Sequence, residues 1–192
     1  MLYKKNSQAK KQRGVALLEL IIAIGVIGVL TAAVVGLASQ AFTSLNQKEL
    51  VNNLSNLKSG ISTVYGRFGD YSDIATVGTD GRQIGGAYAA DDLNNPFGID
   101  LAVLSASVNS NADTGYVVKV AGLGIDECIA VVNQIGTTWD FVYVGTASTT
   151  FDITATVADE IIYSNSDSSL FTPANILTQC STASVEIALG SR

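Results

Sequence analysis

Residues Val15 to Phe42 read VALLELIIAIGVIGVLTAAVVGLASQAF and contain one ionisable group, Glu19. The inner part, Leu20 to Ala38, is a charge-free run long enough to cross a bilayer as a helix. Lys4, Lys5, Lys10, Lys11 and Arg13 precede it, with no acid among them. By the positive-inside rule, this order keeps the first thirteen residues cytoplasmic and sends the rest of the chain across the membrane. A secretory signal peptide shares the order, and Thr31-Ala32-Ala33 is the nearest small-residue site for its cleavage. The apolar run is longer than a signal core of about 7 to 15 residues and continues unbroken into a helical pattern, which favours a spanning helix.

Downstream, Leu50, Leu54, Leu57, Ile61, Val64 or Tyr65, and Phe68 recur at spacings of three or four, with Asn, Ser, Gln and Lys between them. The pattern predicts one helix over 15–66, roughly 78 Å long at about 1.5 Å per residue. Its first half, 15–42, protrudes from the body, and its second half supplies an apolar spine for a globular domain over 67–192. Outside a membrane so apolar a helix must be buried among copies of itself, so the sequence points to self-assembly. Gly25, Gly28 and Gly36 each cost about 1 kcal/mol of helix propensity relative to Ala. They fit either close helix packing through small residues or local loss of helicity.

Composition narrows the function classes. The 192 residues include 11 Lys+Arg, 17 Asp+Glu and no His. Without His the Ser/His and Cys/His nucleophile arrangements and the zinc-binding HExxH helix are excluded, so the chain does not read as an enzyme. Two Cys and no His make a poor metal site, and no cofactor motif is present: Gly122-Leu123-Gly124 lacks the third glycine of a dinucleotide fingerprint and reads as a turn. After Arg13 six basic residues face all seventeen acids, a net charge of −11, which argues against nucleic-acid binding by the body.

Glu19 is the informative residue. An ionised, unpaired carboxylate near mid-bilayer costs on the order of 2.5 to 3.5 kcal/mol, and less towards the interface, where it can reach headgroup water. After Arg13 the next cation is Lys48, more than about 40 Å away along a helix. A partner for Glu19 must therefore come from another chain or from a newly made N-terminus.

Arg13-Gly14-Val15-Ala16-Leu17-Leu18-Glu19-Leu20 resembles the processing site of type IV prepilins, in which a short basic leader ends in Gly and Glu stands fifth after the cut. The resemblance implies that a membrane-bound prepilin peptidase removes the leader, 1–14, between Gly14 and Val15 and methylates the new amine of Val15. It also implies that Glu19 attracts that amine on a neighbouring subunit during assembly. Val15 replaces the Phe of many such proteins, and the large body is more similar to the type IVb branch. The fold implied is α+β: a long N-terminal α-helix packed on an antiparallel β-sheet head, the type IV pilin fold.

Within the body, Cys128 and Cys180 suit a disulfide in an exported chain, with free buried thiols the alternative. Asp126-Glu127 reads as the capping start of a short helix that includes Cys128. Strands are expected at Gly115 to Val120, Trp139 to Val144 and Phe151 to Val157, with Val185 to Leu189 closing the sheet. Thr172-Pro173 reads as an N-cap followed by Pro, opening a short helix that delivers Cys180. Asn94-Asn95-Pro96-Phe97-Gly98 reads as a tight turn. Together with Gly122 to Val132 this turn looks like the type IVb pilin body, where the disulfide-bounded region, here 128–180, faces the filament surface. Its Ser, Thr and Asn content suits that exposure.

The resemblance implies a major pilin. Its copies form a helical homopolymer, made by an inner-membrane assembly machinery and leaving the inner membrane of a Gram-negative bacterium for an extracellular pilus. Such fibres serve adhesion, aggregation and biofilm formation, or conjugative mating contact, through a surface receptor that the sequence does not identify. A minor pilin or secretion pseudopilin shares the processing signal. A single-pass anchored binding domain would keep its leader.

Overall fold

The computed structural model describes residues 9–74, 100–146, 148–157, 160–181 and 185–192. The Asn94 to Gly98 turn lies outside the described residues. The chain divides into two compact units, Met1–Leu45 and Asn46–Arg192.

Helix α1 is continuous over Ala9–Tyr65. It begins six residues before the expected Val15 because Ala, Lys, Gln and Arg are good helix formers and no Pro interrupts them. It ends one residue before Gly66. The N–H groups of Phe68 and Gly69 donate to the Tyr65 carbonyl at 2.9 and 3.0 Å, and Gly69 takes φ +65, the left-handed conformation that glycine adopts without strain. Phe68 therefore leaves the helical register and is 80% exposed, where the periodicity had placed it on the spine. Tyr71 fills that place, with its ring 5.5 Å from Tyr65 and 5.3 Å from Tyr116.

In the second unit Leu50, Leu54, Leu57 and Ile61 are at most 1% exposed and share one core with a five-stranded sheet. The strands are β1 (Asp100–Val108), β2 (Asn111–Leu123), β3 (Phe141–Gly145), β4 (Ile161–Ser164) and β5 (Val185–Ser191). Their order is β1-β2-β5-β3-β4, every neighbouring pair antiparallel. The alternation of strand side chains builds two faces. Val118, Val120, Val142, Val144, Ile187 and Leu189 point into the core with α1. Val117, Phe141, Tyr143 and Ala188 form a second apolar cluster on the outer face.

Several expectations need correction. Strand β5 lies at the centre of the sheet instead of closing it, and β1 and β4 were not foreseen. Asn109 and Ser110, both at positive φ, join β1 to β2 in a two-residue hairpin turn whose hand matches the strand twist. Gly122 is not in a turn. It sits inside β2 at φ +83, where the register with β5 shifts between Ala121 and Leu123, a bulge that glycine accommodates.

Phe151 to Val157 is not a strand. Asp152 forms a single parallel bridge with Ser107, while its carboxylate accepts the N–H groups of Ser110 and Thr154, each at 2.9 Å. These local bonds compete with a ladder and hold the segment as a strap. Phe151 and Ile153 are still buried, against the outer cluster.

Helix α2 (Ile125–Ile135) has Gly124 as its N-cap with no side-chain cap bond. Asp126 and Glu127 thus act in its first turn through their charge near the positive helix end, and not as caps. Helix α3 (Pro173–Gln179) starts as expected: Thr172 caps it by accepting the Asn175 N–H at 3.3 Å, with Pro173 following. Cys180 closes α3 and is disulfide-bonded to Cys128 of α2, both fully buried with their Cα atoms 5.8 Å apart.

Candidate assembly site

In the first unit the stretch of α1 after Arg13 carries apolar side chains on every side. Its large apolar side chains from Leu17 to Leu45 are all exposed, from 54% at Val26 to 72% at Val29. Its most apolar window has a mean hydropathy of 2.8 and none of it is buried. A helix hydrophobic all round needs lipid or other apolar helices about it. Its polar content is partly self-satisfied: the Thr31 hydroxyl donates to the Ile27 carbonyl at 2.7 Å.

Gly14 and Val15 both lie within the backbone of α1. Glu19 is one turn beyond Val15, the i, i+4 spacing that places two residues on one helix face, and its side chain is exposed. A Cβ added at Gly25, Gly28 or Gly36 would meet nothing within 4 Å. Among the described residues no side-chain packing requires these glycines, and the helix is unbroken through all three.

The head carries polar anchors that the sequence did not single out. Lys119 Nζ lies 2.9 Å from Glu186 Oε2, their side chains only 14% and 6% exposed. Both also bind Ser148, ahead of the strap, Lys119 donating to the Ser148 carbonyl at 2.8 Å and Glu186 accepting the Ser148 N–H at 3.2 Å. At the end of β3 the Tyr143 hydroxyl donates to Glu160 at 2.8 Å. Burial first, then this carboxylate, pushes the Tyr143 hydroxyl up to about 12. Lys58 reaches from α1 to the Thr138 carbonyl at 2.5 Å and lies 5.1 Å over the Trp139 ring. None of these was visible as a motif, because each is made by residues distant in sequence.

Comparison with known proteins agrees with this architecture. A family model described as toxin-coregulated pilus subunit TcpA matches residues 83–189, and one described as the prokaryotic N-terminal methylation motif matches residues 9–35. Toxin coregulated pilin from Vibrio cholerae serotype O1 is 32% identical over 150 residues, which cover 74% of this chain and 67% of the relative. A second Vibrio cholerae toxin coregulated pilin is 28% identical over 148 residues, 73% of this chain and 66% of the relative. The aligned stretch thus spans about two thirds of each relative's length. The crystal structure of TcpA, a type IV pilin from the El Tor biotype of Vibrio cholerae, superposes with a TM-score of 0.64 at 22% identity. It covers 77% of this chain and 99% of that one, and shares the fold. With its N-terminal methylation motif, long apolar helix and disulfide-bonded head, the chain belongs to the toxin-coregulated pilus subunit family of type IVb pilins.

Proposed function

We propose that the chain is the major subunit of a type IVb pilus. A prepilin peptidase cuts between Gly14 and Val15 at the cytoplasmic face and methylates Val15. The inner-membrane assembly machinery then extracts the subunit into an extracellular helical homopolymer that serves adhesion or bacterial aggregation. Glu19 supports this reading most directly. It is an exposed carboxylate on an apolar helix, and after Arg13 its own chain offers no cation until Lys48. The Val15 amine of a neighbouring copy supplies that charge, and removal of the leader creates it. Gly25, Gly28 and Gly36 leave the apolar half free of side chains at three points, where other helices can approach closely or the backbone can unwind.

Mass spectrometry of protein sheared from the cell surface tests the reading. A chain that begins at methylated Val15 is expected in abundance. An intact Met1 confined to membranes would instead mean an anchored domain that never polymerises.

A further inference from the structure

The turn that follows α1 encloses an open cup of about 570 Å³ lined by Val64, Tyr65, Phe68, Asp70, Ser72 and Asp73. The lining combines an exposed aromatic ring with two carboxylates. Phe68 is 80% exposed. Asp70 accepts the Ser72 N–H at 3.0 Å, and this bond, with a second from the Ser72 hydroxyl, holds its carboxyl below the usual range, so it stays ionised. The Tyr65 hydroxyl hydrogen-bonds to Asp73. The Tyr71 N–H donates to the Asp113 carbonyl at 2.8 Å, which ties the turn to β2. Arg67, exposed in the same turn, offsets one of these charges and leaves an acidic excess. An aromatic face beside carboxylates is the chemistry that holds an ammonium on an apolar stem, the side chain of lysine.

The head itself contains a candidate guest. Among the described residues Lys119 is held by Glu186, Lys58 by the Thr138 carbonyl and the Trp139 ring, and Arg192 lines a separate cavity with Asp140. Lys48 is exposed and takes part in no ion pair among the described residues. It precedes Tyr65 on the continuous helix by about 25 Å at about 1.5 Å per residue, far beyond the reach of a lysine side chain. Its own cup is therefore out of range, while that of a copy displaced along the helix direction is not.

We propose that Lys48 of one copy docks in the cup formed by Phe68, Asp70 and Asp73 of a second copy. Two different surfaces of the same chain meet, so the contact is heterologous and propagates along a filament instead of closing into a dimer. The inference rests on the self-assembly reading above and adds to it a residue-level contact between heads.

The test is made on filaments sheared from cells that express the full chain. Lys48→Glu is expected to lower filament yield by about tenfold or more, through the cost of placing like charges together. Adding Asp73→Lys in the same chain is expected to restore it. Chain abundance in the membrane fraction, with Cys128 and Cys180 still disulfide-bonded, separates this loss from misfolding. A chain carrying Lys48→Cys and Asp73→Cys is expected to give a ladder of disulfide-linked multimers on non-reducing gels, where either single variant gives none from this contact. Unlinked monomers from intact filaments of the double-cysteine chain, or full yield from Lys48→Glu, would overturn the contact and leave self-assembly standing. Absence of filaments from the unaltered chain would overturn self-assembly itself, and the contact with it. Loss of yield with Lys48→Glu but no rescue and no cross-link would assign Lys48 to some other partner and equally overturn the proposal.

Discussion

Lys119 and Glu186 face each other diagonally across β2 and β5 on the outer side of the sheet, with nitrogen and oxygen 2.9 Å apart. The pair is nearly closed off from water, and the Ser148 backbone binds both partners. Removal of one partner leaves a buried charge without compensation, which costs about 3 to 5 kcal/mol. We expect Lys119→Met and Glu186→Gln each to destabilise the chain by an amount of that order. The double replacement Lys119→Met with Glu186→Leu should be much closer to neutral, because no charge is left stranded. Denaturant unfolding of the full chain in detergent measures all three, and additive losses in the double variant would refute the argument.

The disulfide acts at a different level. Cys128 and Cys180 are 52 positions apart in the chain and join α2 to the end of α3. Closing a loop of that length restricts the unfolded chain, and the loop-entropy relation gives about 4 kcal/mol of stabilisation. Replacing both cysteines by Ser should lower stability by roughly that amount. The chain should still reach the membrane, because the apolar half of α1 lies outside the unit that holds the disulfide. Protein levels and unfolding midpoints with and without reductant check the expectation.

Asp152 gives the strap a pH dependence. Its burial raises the carboxyl, but the bonds from the Thr154 hydroxyl, the Thr154 N–H and the Ser110 N–H outweigh burial and hold it below the usual range. A carboxyl lowered by folding stabilises fully above its unfolded value of about 3.9 and loses that contribution as pH falls through the folded value. Asp152→Ala is thus expected to destabilise at neutral pH and to flatten the acid limb of stability below about pH 4. Thermal unfolding of both chains across that range tests the sign. An acid limb unchanged by the substitution would place the titration elsewhere.

Legibility from sequence followed interaction range. The spine positions Leu50, Leu54, Leu57 and Ile61 were readable because helical periodicity is a local signal, and so was the Thr172-Pro173 cap of α3. Phe68 was misplaced because the periodicity runs smoothly past Gly66 and Gly69, and the hydrogen bonds to the Tyr65 carbonyl end the helix first. The segment from Phe151 alternates like a strand, yet the Asp152 carboxylate takes the Thr154 N–H and the Asp152 carbonyl takes the Ala155 N–H, local bonds that withdraw backbone groups from a ladder. The central place of β5 depends on pairing with both β2 and β3, information that no short window holds. At the assembly site Glu19 could be singled out because a charge in an apolar run is costly wherever the rest of the chain lies. The cup at Phe68 needs the turn geometry.

Bundling of the filaments should depend on salt. After Arg13 the chain carries a net charge of −11, so neighbouring filament surfaces repel over a Debye length of about 30 Å at 0.01 M salt and about 8 Å at 0.15 M. Filaments are expected to disperse at low ionic strength and to associate laterally as salt rises, as followed by light scattering or negative-stain microscopy. Identical bundling at both ends of that range would show that lateral contacts are not limited by charge.

Glu19 should govern assembly and not insertion. Its carboxylate opposes burial of the helix in lipid by up to about 2.5 to 3.5 kcal/mol if ionised near mid-bilayer, so Glu19→Gln makes the membrane-embedded subunit more stable. On the proposed function, the same change also removes the charge assigned to attracting the Val15 amine of a neighbour. Both effects favour the membrane over the filament. We expect Glu19→Gln subunits to be cut and methylated at Val15, to accumulate in the membrane, and to fall by about tenfold or more in the sheared fraction, since about 1.4 kcal/mol is already one decade. Glutamine keeps the size and much of the hydrogen-bonding capacity of glutamate, so the loss reports charge and not shape. Glu19→Asp, which keeps the charge on a shorter stem, should recover part of the yield. Full piliation with Glu19→Gln would require that the carboxylate only reaches headgroup water, and attraction to a neighbouring amine would then have no part in assembly.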